Sequence, residues 1–134
     1  MSILIIDDFQ EERDLLFTIL HSAGFGPLLP VGTAREGLQL LGVGKRGKQT
    51  SGIDLVLMDI EMPEIDGLEA CQRIRMEDQL QNLPIIVITA HTEAKDIQAA
   101  YTCGATDYIR KPVIPAELIA RTANALSLKQ EIDA

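Results

Sequence analysis

Asp54-Leu-Val-Leu-Met-Asp-Ile-Glu-Met-Pro63 decides the fold. Residues 55–58 form an apolar run too short for a helix and bracketed by polar residues, so they read as a strand buried on both faces. The run ends on one carboxylate, Asp59, where the strand leaves the core. In an open parallel sheet ligands gather outside the carboxyl ends of the strands. An aspartate after a strand also serves as a turn residue or helix cap, so the rest of the chain must decide its role.

Working outward, the same motif recurs. Residues 3–6 are four consecutive aliphatics followed by Asp7 and Asp8, and residues 84–89 run Pro-Ile-Ile-Val-Ile-Thr and close on the hydroxyl of Thr89. Residues 107–110 make a fifth short strand that ends at Lys111-Pro112, and residues 27–31, with prolines at 27 and 30, make a second strand suited to a sheet edge. Helical spacing separates these runs. Leu15, Leu16, Ile19, Leu20 and Ala23 mark a first helix over 10–23, with Glu11, Glu12 and Asp14 in its first turns, where they suit the helix dipole, and Gly24 as its stop. Thr33-Ala-Arg-Glu36 has the capping-box form and opens a second helix. Asp66-Gly67 precedes a third over 68–75. Thr92 is the expected cap of a fourth helix over 93–102, whose apolar members are Ile97 and Tyr101, and Pro115 opens a last one through Leu126. The fourth helix is poorly anchored, and the last continues past Leu126 without a clear stop.

Five strands alternating with helices imply a parallel sheet covered on both faces, and right-handed crossovers bring every strand's C-terminal end to one edge. Asp7, Asp8, Asp59, Thr89 and Lys111 therefore converge. Carboxylates brought together repel one another unless a cation is present. Mg2+ takes one or two carboxylates, keeps several waters and accepts a phosphate oxygen. Asp8 and Asp59 are the expected direct ligands, with Asp7 acting through water. Lys111 as a point charge and Thr89 as a hydroxyl donor suit a phosphoryl group at the same place, and Asp59 is the expected nucleophile, since a carboxylate forms an acyl phosphate directly. The alternatives are that Asp7 or Asp8 caps the first helix and that Lys111 makes a surface ion pair.

At 134 residues the chain is one domain, long enough to bury about two-thirds of its unfolded surface without a disulfide or structural metal. A formal charge of −8 disfavours direct binding to nucleic acid or an anionic membrane. The densest basic group, Lys45, Arg46 and Lys48, lies in a glycine-rich segment, Gly42 to Gly52, that reads as an exposed mobile loop and lacks the order of a phosphate-binding loop. Cys71 and Cys103 lack metal-ligand spacing and suit a reduced cytoplasmic setting. The N-terminus carries neither a signal peptide nor a membrane span.

The chain resembles the receiver domain of two-component response regulators. The resemblance covers residues 3–128 and rests on Asp7-Asp8-Phe9 with Arg13, Met58-Asp59 with Met62-Pro63 and Asp66-Gly67, Thr89-Ala90, and Tyr108 with Lys111-Pro112. It implies a flavodoxin-like, doubly wound α/β fold of five parallel strands in the order 2-1-3-4-5. It implies Mg2+ held by Asp8, Asp59 and the main-chain carbonyl of Glu61, and phosphorylation of Asp59 by the phosphohistidine of a sensor histidine kinase or phosphotransfer protein. A cis bond between Lys111 and Pro112 belongs to the same pattern. Thr89 and Tyr108 are then the switch, the hydroxyl moving to the phosphoryl group and the ring turning inward behind it. The output face is formed by the fourth helix, fifth strand and fifth helix, and serves a downstream domain, a partner protein or a homodimer. Chemistry is confined to the chain's own Asp59, so no enzyme acting on outside substrates is expected; a binding module that works without phosphorylation is the alternative.

Two features depart from compact receivers. The stretch between Asp8 and Asp59 is longer, the excess falling in the Gly42 to Gly52 segment, and Glu61 and His91 stand at positions that in the family tune loss of the phosphoryl group to water. The receiver is expected over 1–128, with 129–134 as a helical extension toward an output domain. Leu118, Thr122, Ala125, Lys129 and Ile132 keep a four-three spacing that fits either a short coiled coil or ordinary amphipathic packing.

Overall fold

The computed structural model describes residues 1–45 and 52–133. The elements, in chain order, are β1 (Ser2–Ile6), α1 (Gln10–Ser22), β2 (Leu28–Val31), α2 (Ala34–Leu41), β3 (Ile53–Asp59), α3 (Gly67–Arg75), a 3-10 turn (Asp78–Leu80), β4 (Ile85–Thr89), α4 (Ala94–Thr102), β5 (Asp107–Arg110) and α5 (Pro115–Asp133). The strands form one parallel sheet, as the alternation of elements predicts, in the order β2-β1-β3-β4-β5 that the receiver resemblance implies.

Alternation along the three central strands builds two cores. Leu4, Ile6, Val56, Met58, Ile85 and Val87 point to the side covered by α2 and α3, and Ile3, Ile5, Leu55, Leu57, Ile86 and Ile88 to the side covered by α1 and α5. Each fully buried aliphatic side chain contributes roughly 1.5–3 kcal/mol. The same period of two sets the chemistry at the C-terminal edge. It carries Ile5 on to Asp7, Leu57 on to Asp59 and Ile109 on to Lys111 on the α1/α5 side, and Val87 on to Thr89 on the other side, where Tyr108 packs.

Local chemistry fixes the helix ends. Thr33 Oγ1 accepts from Glu36 N at 3.1 Å and Asp66 Oδ1 from Glu69 N at 2.8 Å, capping α2 and α3. Gly42 closes α2 in the left-handed region at φ 77°. Thr92 does not cap α4: the N-cap is Glu93, without a side-chain cap hydrogen bond, and only Ala100 of this helix is buried. β3 starts at Ile53, before the expected apolar run, because the Asp54 carboxylate accepts from Ser2 N at 2.9 Å and extends the pairing with β1. Leu15 belongs to the expected apolar stripe of α1, yet it is exposed beside the β5–α5 connection.

α5 continues to Asp133. Leu118, Thr122 and Ala125 are buried on the domain's own sheet, so ordinary packing accounts for that half of the four-three seam; Ile132 is exposed. The basic glycine-rich segment falls largely on residues 46–51, outside the described residues; at its start Gly44 N donates to Glu77 Oε1 at 2.8 Å. Cys71, buried, and Cys103, half-buried, are free thiols. Among the described residues no helix is long and apolar enough to cross a membrane.

Candidate functional site

Asp59 is the last residue of β3, paired in register with Ile88, and only 4% exposed. Lys111 Nζ lies 3.2 Å from Asp59 Oδ2. The ammonium arrives there because Lys111 N donates to Thr89 O at 2.9 Å, continuing the β4–β5 ladder past Arg110, and the Lys111-Pro112 peptide is cis. On the other flank, Glu61 N donates to Asp59 Oδ1 at 3.3 Å, which keeps the turn after β3 against the carboxylate. Gly67 backs that turn. Its N–H donates to Ile60 O at 2.8 Å, and a Cβ there would sit 2.4 Å from Asp59 O and 2.8 Å from Ile60 Cα.

Asp7 is buried at 1% exposure. Its Oδ1 accepts from Phe9 N at 2.9 Å, while Oδ2 has no hydrogen-bond partner and stands 4.0 Å from Lys111 Nζ. Arg13 Nη1 holds the backbone of the same residue, donating to Asp7 O at 2.7 Å. Neither Asp7 nor Asp8 caps α1: the N-cap is Phe9, with no side-chain cap bond. Asp8 is exposed and lies outside the group of carboxylates whose oxygens approach one another within 4.8 Å. That group is Asp7, Glu12 and Asp59.

Glu12 is the site residue that sequence reading misses. The dipole of α1 is a sufficient reason for a glutamate in the first turns, yet positions 12, 16 and 20 lie on one stripe, and Leu16 and Leu20 are buried. A carboxylate on a buried stripe was the available signal. Glu12 Oε2 lies 2.6 Å from Lys111 Nζ, the shortest of the ammonium's three acidic contacts. Beside this pair, and bordered by it and Asp7, is a largely apolar cavity of about 170 Å³ lined by Leu15, Leu16, Ile88, Pro112 and Val113.

Burial and mutual repulsion set the titration of the cluster. Desolvation, with the charge of Asp59 adding to it and the Phe9 N–H opposing it, pushes Asp7 up to about 7. Desolvation also raises Asp59, against the opposing pull of Lys111. Burial opposes ionisation of Glu12 too, but the Lys111 ammonium 2.6 Å away outweighs it and helps hold Glu12 below the usual carboxylate range. Burial would lower Lys111, and the surrounding carboxylates overcome it and raise the ammonium instead. An orphaned buried oxygen on Asp7 and three hard oxygen donors within reach of one another fit a divalent cation.

The hydroxyl side is quieter. Thr89 is buried, and its Oγ1 accepts from His91 N at 2.9 Å. His91 and Glu61 are exposed and bonded to each other, Nε2 to Oε1, across the mouth of the site. Tyr108 is half-buried, edge-on to Tyr101 with centroids 6.2 Å apart and 5.9 Å from the Arg121 guanidinium carbon. Arg121 Nη1 in turn holds Asp107 at 2.8 and 2.9 Å.

A doubly wound parallel sheet with carboxylates and a lysine at its C-terminal edge is the arrangement of the CheY-like signal receivers. The family model described as "Response regulator receiver domain" matches residues 3–123, and the chain belongs to that family. It is 35% identical over 125 residues to the response regulator SaeR of Staphylococcus epidermidis, covering 93% of this chain and 50% of that one. It is 34% identical over 131 residues to the cyclic di-GMP phosphodiesterase response regulator RpfG of Xanthomonas campestris, covering 98% of this chain and 33% of that one. The chain thus spans half or less of the length of these relatives. Among solved structures, the chemotaxis response regulator CheY4 of Vibrio cholerae superposes with a TM-score of 0.80 at 26% identity, over 93% of this chain and 98% of that one.

Proposed function

We propose that the chain is a phosphorylatable receiver whose Asp59 takes a phosphoryl group from the phosphohistidine of a sensor histidine kinase or phosphotransfer protein. One observation carries the proposal: a buried strand-end carboxylate with an ammonium 3.2 Å away and an unpartnered carboxylate oxygen on the neighbouring strand. An Asp59 carboxylate oxygen attacks phosphorus, the bond from phosphorus to the donor imidazole nitrogen breaks, and its electron pair stays on that nitrogen, which takes up a proton. Lys111 then faces the equatorial oxygens, where an ammonium stabilises developing charge. Asp7, Asp59 and the main-chain carbonyl of Glu61 would hold Mg2+ together with Asp8, whose exposed side chain would have to turn toward them, and the ion would supply charge neutralisation of the phosphoryl oxygens when bound. The protein acts on no outside substrate; transfer to Asp59 and loss to water are its whole chemistry.

The readout passes through Thr89 and Tyr108. A phosphoryl oxygen on Asp59 is a stronger acceptor than anything Thr89 now bonds, since charge-assisted hydrogen bonds are about twice as strong as neutral ones. Drawing the hydroxyl toward Asp59 breaks its bond with His91 N and frees space for the Tyr108 ring. The face of α4, β5 and α5 is the surface that changes, and it serves an output domain, a partner protein or a homodimer, with residues 129–134 leading away from the receiver over 1–128. Glu61 and His91 screen the mouth against the water that removes the phosphoryl group. A cytoplasmic setting, without direct contact with nucleic acid or membrane, fits this role and the acidic charge.

The test is uptake from a small phosphodonor, followed by intact mass. Wild type with Mg2+ gains one phosphoryl group; Asp59→Asn, or wild type with a chelator, gains none. Uptake that persists in either control refutes the mechanism.

A further inference from the structure

Glu12 has no part in the chemistry above, yet it makes the shortest contact with the lysine that the chemistry needs. Lys111 Nζ is 2.6 Å from Glu12 Oε2, 3.2 Å from Asp59 Oδ2 and 4.0 Å from Asp7 Oδ2. The ammonium carries three donors, and its nearest acceptor is Glu12, not the Asp59 carboxylate that takes the phosphoryl group. A phosphoryl group on Asp59 brings roughly −1.5 to −2 charge and three acceptor oxygens into this space. It would need Lys111, and it would meet Glu12 as a like charge. A cation experiences the opposite: the Glu12 oxygen lies within 4.8 Å of those of Asp7 and Asp59 and adds to their attraction. The backbone that carries Glu12 is anchored, since Leu16 and Leu20, one and two turns along α1, are buried against the sheet.

We propose that Glu12 is a positioning residue that holds Lys111 in the unphosphorylated site and yields it to the phosphoryl group, so that one carboxylate favours cation entry and opposes phosphoryl arrival. The inference rests on the reading of Asp59 as phosphoacceptor. It assigns to Glu12 two effects of opposite sign, which a structural role does not produce. A damaged fold would weaken both cation binding and uptake.

The experiment compares wild type, Glu12→Gln, which keeps the shape and removes the charge, and Glu12→Leu, which continues the apolar stripe. Mg2+ affinity is read by calorimetry, and the rate of uptake from a small phosphodonor by intact mass at saturating Mg2+. Removing one unit charge near 5 Å is expected to weaken Mg2+ binding about three- to tenfold and to speed uptake by a similar factor. Two variants guard against a failure of one to fold. If wild type takes up phosphoryl and both variants are unchanged or slower at saturating Mg2+, the role given to Glu12 is wrong and the role of Asp59 stands. If wild type takes up none, the phosphoacceptor reading falls and this inference falls with it.

Discussion

The two faces of the sheet's C-terminal edge are built on opposite principles. On the α1/α5 side, Asp7, Glu12, Asp59 and Lys111 form a dense ion cluster over an apolar cavity, every member tied to a neighbouring element. On the other side stand a neutral hydroxyl, a half-buried ring and a helix that buries one alanine. The first side holds charge at high electrostatic cost; the second is held by little buried apolar surface. α4 itself is uneven. Its C-terminal end is clamped by Arg75, which donates to Gly104 O at 2.9 Å and to Leu80 O at 2.9 Å, while its N-terminal end lacks a side-chain cap. A displacement of α4 would then be a swing of its N-terminal end, beside Thr89, about a fixed point near Gly104.

Four substitutions break or sharpen this contrast. The largest expected effect is Gly67→Ala, because the new Cβ meets main-chain atoms of Asp59 and Ile60, which cannot swing away as a flexible side chain would. Urea denaturation is expected to show a loss of about 3 kcal/mol, within the range for overpacking at a tight site. Unchanged stability would mean that the β3–α3 turn is softer than the ion cluster it supports. Next is Arg75→Ala, which leaves the Gly104 carbonyl without its arginine donor and the Leu80 carbonyl with Leu83 N alone, and costs about 2 kcal/mol in the same assay. It should also raise amide hydrogen exchange at residues 103–106, loosening the clamped end of α4.

Asp7 tests the charged side by pH. Its native value, about 7, lies above the ordinary 3.8, so the folded state keeps a proton that the unfolded chain has released. Stability without a divalent ion therefore falls as pH rises from about 4 to about 7 and levels off above that. Asp7→Asn removes the penalty, so at pH 8 without metal the variant is expected to be more stable than wild type by roughly 1–3 kcal/mol, a figure discounted from the full linkage. A variant equally stable or weaker at pH 8 would show that the carboxylate is not paying for its burial. The smallest effect belongs to Arg121→Ala on the loose side. Its ion pair with Asp107 is partly exposed, so the thermal unfolding midpoint should shift by under about 1 kcal/mol equivalent. A large loss would show that the Tyr108 face is rigid before any signal arrives.

The contrast also explains what could be read from the chain alone. The apolar runs before Asp7, Asp59 and Thr89 marked the strands, and their alternation with helices implied a parallel sheet covered on both faces, because both depend on patterns of two and 3.6 residues; the strand order came from the receiver resemblance. The capping box at Thr33 is equally local. Glu12 escaped because its partner is 99 residues away and a local reason for its presence was already sufficient. Thr92 misled for the related reason that a hydroxyl before a helix suffices for a cap only if the helix begins one residue later. Asp8 lies outside the carboxylate group because its side chain is exposed, a matter of rotamer and strand twist that sequence spacing does not carry. The exposure of Leu15 likewise follows from where the β5–α5 connection passes, a tertiary fact.

On the proposed function, charge gathered on the α1/α5 side is read out by the side of Thr89, Tyr108 and α4. Backbone amide NMR of the protein before and after phosphorylation with a small donor and Mg2+ tests it most directly. The predicted result is large shifts at residues 59–61 and 89–97 and at Tyr108, with residues 104–106 nearly still. Shifts confined to the turn after Asp59, or residues 104–106 moving as far as residues 94–97, would contradict it.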